Sequence, residues 1–209
     1  MRRCQGSSDS LGSHAGGVLT HGGSLGNLTA LMAARSRVAP NAWQDGTPGN
    51  LVIVAPKACH YSIARAVDIL GLGRKALKTA PTDPEGRLIP DKLAVFISSL
   101  QDQGATVLAV VANGCSTAAG LYDRRREIGP VCREMGVWLH VDGAHGASAL
   151  VSEHHRMLLD GVELADSLKQ PAHLGPESGK KTLLFCGNDC LLVNSRISPN
   201  LIRLGSSSI

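Results

Sequence analysis

Aromatic side chains are scarce in this 209-residue chain, which holds two Trp, two Tyr and two Phe. Leu, Val, Ile and Ala must therefore fill the core. A hydrophobic fraction of 43% with 18% charged residues supports one sizeable globular core and argues against wholesale disorder. Long apolar runs are also missing. "LVIVA" and "VLAVVA" are far too short to span a bilayer, which excludes a membrane helix. The opening "MRRCQGSSDS" is basic but has no apolar region behind it, so it does not read as a secretory signal. The chain reads as soluble and cytoplasmic, and Cys4, Cys59, Cys115, Cys132, Cys186 and Cys190 read as free thiols of a reducing compartment. Cys186 and Cys190 form a CxxxC pair without a second ligand pair at zinc-site spacing, so no metal is expected. Charge of one sign is lacking too: the net charge is +4. The short run Arg124-Arg125-Arg126 is followed by Glu127 and has no interleaved aromatics. It reads as a solvated helix face, and nucleic-acid binding is not expected.

What is present is an alternation of apolar strands and periodic helices. "NLVIVAP" (50–56), "TVLAVVA" (106–112) and "VWLHVD" (137–142) read as buried strands. "NLTALMAARSRV", with Ser24 as a possible cap, reads as a helix, as does "HYSIARAVDILGLG" with its glycine stop. "PDKLAVFISSLQDQG" opens on proline and closes on glycine, and a further helix spans about Asp123 to Met135. The first two dozen residues, rich in Gly and Ser, read as loop or ragged terminus. Together these predict an α/β fold with a mostly parallel sheet flanked by helices. After Ser167 the rhythm breaks at "KQPAHLGPESGKK".

In such folds ligands bind beyond the carboxyl ends of the strands. Four features fall there or at helix starts. "THGGSLGN" (20–27) offers backbone N–H groups and the Ser24 hydroxyl to a phosphate, or is a glycine turn with a serine cap. His60 stands at the mouth of a helix, where a cap or surface role is the plainer alternative. "NGCSTAAG" presents Ser116 and Thr117 after a strand. Asp142 ends an apolar strand before the small residues Gly143 and Ala144; it either caps the next helix or pairs with a cation such as a ring nitrogen.

Taken together, "GVLTHGGSLGNLTALMAAR", "HYSIARAVDILGLG" and "WLHVDGAHGASALVSEHHRMLLDGVELADS" resemble the group II pyridoxal-phosphate-dependent decarboxylases. The resemblance runs from about Gly16 to Ser167. It implies a fold type I large domain with a mainly parallel seven-stranded sheet, a smaller C-terminal domain, and a homodimer acting on an amino acid. It implies that Gly23 and Ser24 lie in the segment that holds the pyridoxal 5′-phosphate phosphate, and that His60 stacks on the ring. It further implies that Asp142 pairs with the ring nitrogen, that Ala144 packs on the ring, and that Ser116 and Thr117 lie near the cofactor. "HVDGAHG" with "GVELADS" favours the decarboxylases over other fold type I lyases and aminotransferases.

The family continues "ADS" to adjacent His and Lys. Aligned without a gap, the histidine is His173, but Leu174 occupies the position of the Schiff-base lysine, and no leucine can form one. Lys169 lies five residues earlier, an odd offset that on a strand points to the opposite face. The expected organisation is a ragged 1–15, a partial large domain over 16–168, and a divergent tail over 169–209 with the C-terminal domain missing. A frame shift, a truncated gene or a non-catalytic, cofactor-binding pseudoenzyme would each produce this pattern.

Overall fold

The computed structural model describes residues 15–171 and 189–194, so His173, Leu174, Lys180, Lys181 and Cys186 lie outside the described residues. In chain order the main elements are β1 (Ala15–Thr20), α1 (Gly23–Val38), α2 (Ala42–Asp45), β2 (Leu51–Ala55) and α3 (Tyr61–Ile69). They continue with β3 (Leu77–Thr79), α4 (Pro90–Asp102), β4 (Thr106–Asn113), α5 (Arg125–Glu134), β5 (Trp138–Asp142), β6 (Ser167–Pro171) and β7 (Asp189–Asn194). Short 3₁₀ turns fill the connection from β5 to β6. The strands form one seven-stranded sheet in the order β1-β7-β6-β5-β4-β2-β3. The neighbours from β6 to β3 pair in parallel, and β7 runs antiparallel to both β6 and β1. The sheet is thus mostly parallel with flanking helices, as the sequence predicts.

The apolar runs explain the centre. Every residue of β2 and β5 is buried, and β4 is buried from Val107 onward. Strands covered on both faces need continuous apolar sequence, which "LVIVA" and "VLAVVA" supply. Ile63 and Val67 of α3, Leu93 and Ile97 of α4 and Ile128 of α5 complete the core. α1 lies across β4, β5, β6 and β7 and packs against α3, while α4 and α5 pack on each other. Asp123, almost fully buried, accepts backbone N–H bonds from Leu88 (2.7 Å) and Asn113 (2.6 Å), fixing the approach to α5.

Three expectations change. "AGGVLT" is a strand: β1 pairs with β7 from Ala15 to Thr20, and that ladder outweighs the poor strand propensity of its glycines. A strand therefore does precede the glycine-rich turn. Ser24 does not cap α1, because the helix already begins at Gly23 and its N-cap is Gly22 at φ 85. That left-handed backbone suits glycine and would strain serine. Finally, the break in rhythm after Ser167 does not interrupt the sheet: β6 runs from Ser167 to Pro171, and Asp189–Asn194 lie in the sheet between β1 and β6.

Parallel strands end at a common edge, and here three polar residues stand there in register: Asn113 beside Asp142, and Asp142 beside Lys169, the last residue of β6 that pairs with β5. The loops beyond are stitched to that edge. Gly114 N–H donates to the Asp142 carbonyl (2.8 Å), and Gly143 N–H donates to the Lys169 carbonyl (2.9 Å).

Candidate functional site

On β5 and β6 alternate residues that are polar or can hydrogen-bond share the face toward α1: Trp138, His140 and Asp142 on one strand, Ser167 and Lys169 on the other. All five are buried, and His140 and Ser167 are fully enclosed. Asn27, one turn into α1 and equally enclosed, faces them. Buried polar groups of this kind persist only when bonded, and this set is bonded in a determinable direction.

The Asn27 amide nitrogen donates to Asp142 Oδ2 (2.7 Å) and to Ser62 Oγ (2.8 Å). Its Oδ1, 3.0 Å from His140 Nε2, can only accept, so Nε2 carries a proton. Burial lowers the His140 pKa to about 4, so the ring is neutral at pH 7 and Nδ1 is an acceptor. Ser167 Oγ, 2.9 Å from Nδ1, therefore donates to it, while accepting from Trp138 Nε1 (2.9 Å). The chain runs on through Ser62. His60 Nδ1 accepts the Ser62 backbone N–H (3.3 Å) as the N-cap of α3, so Nδ1 is unprotonated. The Ser62 hydroxyl at 2.7 Å then donates to the same nitrogen. One polarised path links Trp138, Ser167, His140, Asn27, Ser62 and His60, with Asp142 attached at Asn27.

Asp142 is the charged member. Burial works to raise its carboxyl, but the Lys169 ammonium, the Asn27 amide, His140 and the Ala144 N–H outweigh that and hold it below the usual carboxylate range. Oδ1 accepts from Ala144 N–H (3.2 Å) and lies 3.5 Å from Lys169 Nζ. The His60 imidazole, tilted on Tyr61 with ring centroids 4.2 Å apart, is lowered by burial against the opposing pull of Asp142. Burial, reinforced by Asp142, pushes the neighbouring Cys59 thiol up to about 11, so it is an unreactive thiol at pH 7.

Several of the sequence candidates converge. Asp142, Ala144 and His60 belong to this network directly. Gly23 and Ser24 open α1, whose first-turn N–H groups point out of the helix start, the general geometry for an anion. Ser116 is buried, but its Oγ is engaged by the Leu121 N–H (3.1 Å) and closes its own loop. Thr117 is exposed. His173 lies outside the described residues. Sequence reading missed Asn27, Ser62, His140 and Ser167, and it weighed Lys169 only against the Schiff-base position, not as a neighbour of Asp142. The alternation H-V-D and S-L-K in two adjacent strands was the available signal, since period 2 puts both sets on one face.

This donor set fits a cationic ring nitrogen. A deprotonated carboxylate buried at a strand end demands a positive partner, and the small residues Gly143 and Ala144 follow it directly. The fit is not neutral, however, because Lys169 already offers such a charge.

The family "Pyridoxal-dependent decarboxylase conserved domain" matches residues 1–175, a longer span than the motifs alone indicate. Cysteine sulfinic acid decarboxylase of Rattus norvegicus is 35% identical over 189 residues, covering 90% of this chain and 37% of that protein. An acidic amino acid decarboxylase of Mus musculus is 38% identical over 189 residues, covering 90% of this chain and 33% of that one. The chain thus spans about a third of the length of these curated relatives. Among solved structures, the apo form of mouse CSAD matches with a TM-score of 0.82 at 30% identity, covering 97% of this chain and 43% of that chain. Oryza sativa TDC with PLP and tryptamine matches with a TM-score of 0.79 at 25% identity, covering 96% and 40%. Sheet topology and these likenesses agree: the chain belongs to the pyridoxal-dependent decarboxylase family, whose cofactor is pyridoxal 5′-phosphate.

Proposed function

We propose that this chain is the cofactor-holding part of an amino-acid decarboxylase, retaining affinity for pyridoxal phosphate while impaired in turnover by itself. The observation that carries the reading is the Asp142 carboxylate, buried and held charged at the end of β5. When bound, the cofactor supplies an electron sink for the carbanion left by loss of carbon dioxide. The chain's own part is binding and orientation. Asp142 favours a protonated ring nitrogen, since a neighbouring negative charge stabilises the charged form. Asn27 fixes the carboxylate's rotation, and the same amide, through Ser62, fixes the ring of His60. The start of α1, with Gly23 and Ser24, would receive the phosphate.

Impairment follows from Leu174 at the position that the family fills with lysine. The relatives' names point to acidic amino acids, cysteine sulfinate among them, as the substrate class. The family's homodimer belongs to the same reading. A non-catalytic pyridoxal-phosphate-binding protein is the second reading, favoured by the same leucine.

Titration with pyridoxal phosphate, followed by absorbance, checks the proposal. Wild type should bind, and Asp142→Ala should bind at least about tenfold more weakly, the loss expected for a charge-assisted bond. Borohydride should trap no lysine adduct, and no carbon dioxide should be released from cysteine sulfinate, aspartate or glutamate. Affinity unchanged in Asp142→Ala sinks the binding reading, and carbon dioxide release sinks the impairment.

A further inference from the structure

We infer that Lys169 is the resident counter-ion of Asp142 and competes with a cofactor's ring nitrogen for that carboxylate. Lysine is almost never buried unless paired, yet Lys169 is only 4% exposed. Its place is set three times over. β6 puts it directly beside Asp142 in the parallel register. Its ammonium stands 3.5 Å from Asp142 Oδ1. Its stem lies across the first turn of α1, where a Cβ on Gly26 would come within 3.0 Å of Lys169 Cγ. A Cβ there would press on the lysine stem, so Gly26 leaves room for this passage.

The inference rests on the reading that this pocket takes a pyridine ring. A site that waits for its cation from the ligand leaves a buried carboxylate unbalanced until the ligand arrives, which is costly. Here the chain supplies the cation itself, so Asp142 is charge-balanced by Lys169 and an incoming pyridinium must displace an ammonium. Nor does this position suit Lys169 to bond the cofactor's carbonyl. In pyridoxal phosphate the aldehyde is para to the ring nitrogen, whereas Lys169 sits on the carboxylate which that nitrogen would use.

The test separates the pair from the pocket. The first arm is a double-mutant cycle on the ligand-free chain with Asp142→Asn, Lys169→Met and the double variant. Each single variant strands one buried charge and should lower the melting midpoint by roughly 10 °C. The double variant should recover most of that loss, and it serves as a folded reference if a single variant does not fold. The second arm uses pyridoxine 5′-phosphate, which has the ring and phosphate but no aldehyde, so no lysine can bond it. Lys169→Met should bind it roughly tenfold or more tighter than wild type, because the competing ammonium is gone. Single-variant losses that simply add in the double variant overturn the counter-ion pair. Equal affinity of wild type and Lys169→Met overturns the competition. No binding by either, with the coupling intact, supports the pair and removes the pyridine-pocket reading instead. A borohydride-trapped adduct of pyridoxal phosphate mapped to Lys169 overturns the counter-ion role outright.

Discussion

Gly146→Ala is expected to destroy the ordered site and to cost the chain at least about 3–5 kcal/mol, the range reserved for severe steric and packing lesions. A Cβ at Gly146 would stand 1.9 Å from the Gly114 carbonyl oxygen, 2.7 Å from the Gly114 carbonyl carbon and 2.5 Å from Cys115 Cβ. These are backbone and near-backbone atoms of the loop leaving β4, so no rotamer change relieves the contact. The loop cannot retreat without loss either. Gly114 N–H is bonded to the Asp142 carbonyl, and a Cβ on Gly114 would itself come within 2.8 Å of Gly143 Cα. The strand-end loops of β4 and β5 are therefore packed backbone against backbone, and the Ala144 N–H that bonds Asp142 sits within that contact. Gly49→Ala is the matched control: nothing lies within 4 Å of its Cβ position, and its φ is not in the left-handed region. It should be neutral or slightly stabilising, because alanine restricts the unfolded chain. Thermal melts of the two variants decide the matter. A Gly146→Ala melt within a degree or two of wild type would refute the packing argument.

That packing shows why the fold was more legible than the site. β2, β4 and β5 announce themselves as short apolar runs, and α3 and α4 by periodicity with glycine or proline at their ends. Such local signals survive because they describe what each segment buries. β1 has no local signal, since "AGGVLT" is a strand only through its ladder with β7, more than 150 residues later in the chain. The site divides the same way. Asp142 is conspicuous, a carboxylate closing an apolar strand. Asn27 is not, since an asparagine near a helix start usually reads as local capping. Its partners Asp142 and His140 lie 115 and 113 positions away, and only tertiary packing joins them. Lys169 is the sharpest case. Counting along the sequence compares it with the expected lysine position, but the register with β5 decides its neighbour, and that register places it on Asp142.

The buried imidazole in this network makes the chain sensitive to mild acid. His140 is 0% exposed and its pKa falls from 6.5 to about 4, with burial as the largest cause. Between those values the unfolded chain binds a proton that the folded chain refuses, so stability must decrease as pH falls from about 6.5 to about 4. Across the whole window that amounts to about 3 kcal/mol. His60, also lowered by burial but partly open to solvent, adds in the same direction. Asp142 acts further down: its depressed carboxyl contributes stability that is present above the ordinary carboxylate value and lost as pH falls through the lower folded one. Asp123 and Asp166 oppose it, since burial raises both, and their protonation on acidification relieves the fold. The interval from pH 6.5 to about 5 covers the upper part of the His140 window, and the difference from a His140 variant isolates that histidine from the opposing carboxyls. Urea midpoints across that interval should fall steadily for wild type. His140→Gln keeps a donor and an acceptor toward Asn27 and Ser167 but cannot take up the proton, so its profile should be much flatter. A wild-type profile that stays level from pH 7 to 5 would show that His140 is not held neutral. A glutamine variant with the wild-type slope would show that the proton goes elsewhere.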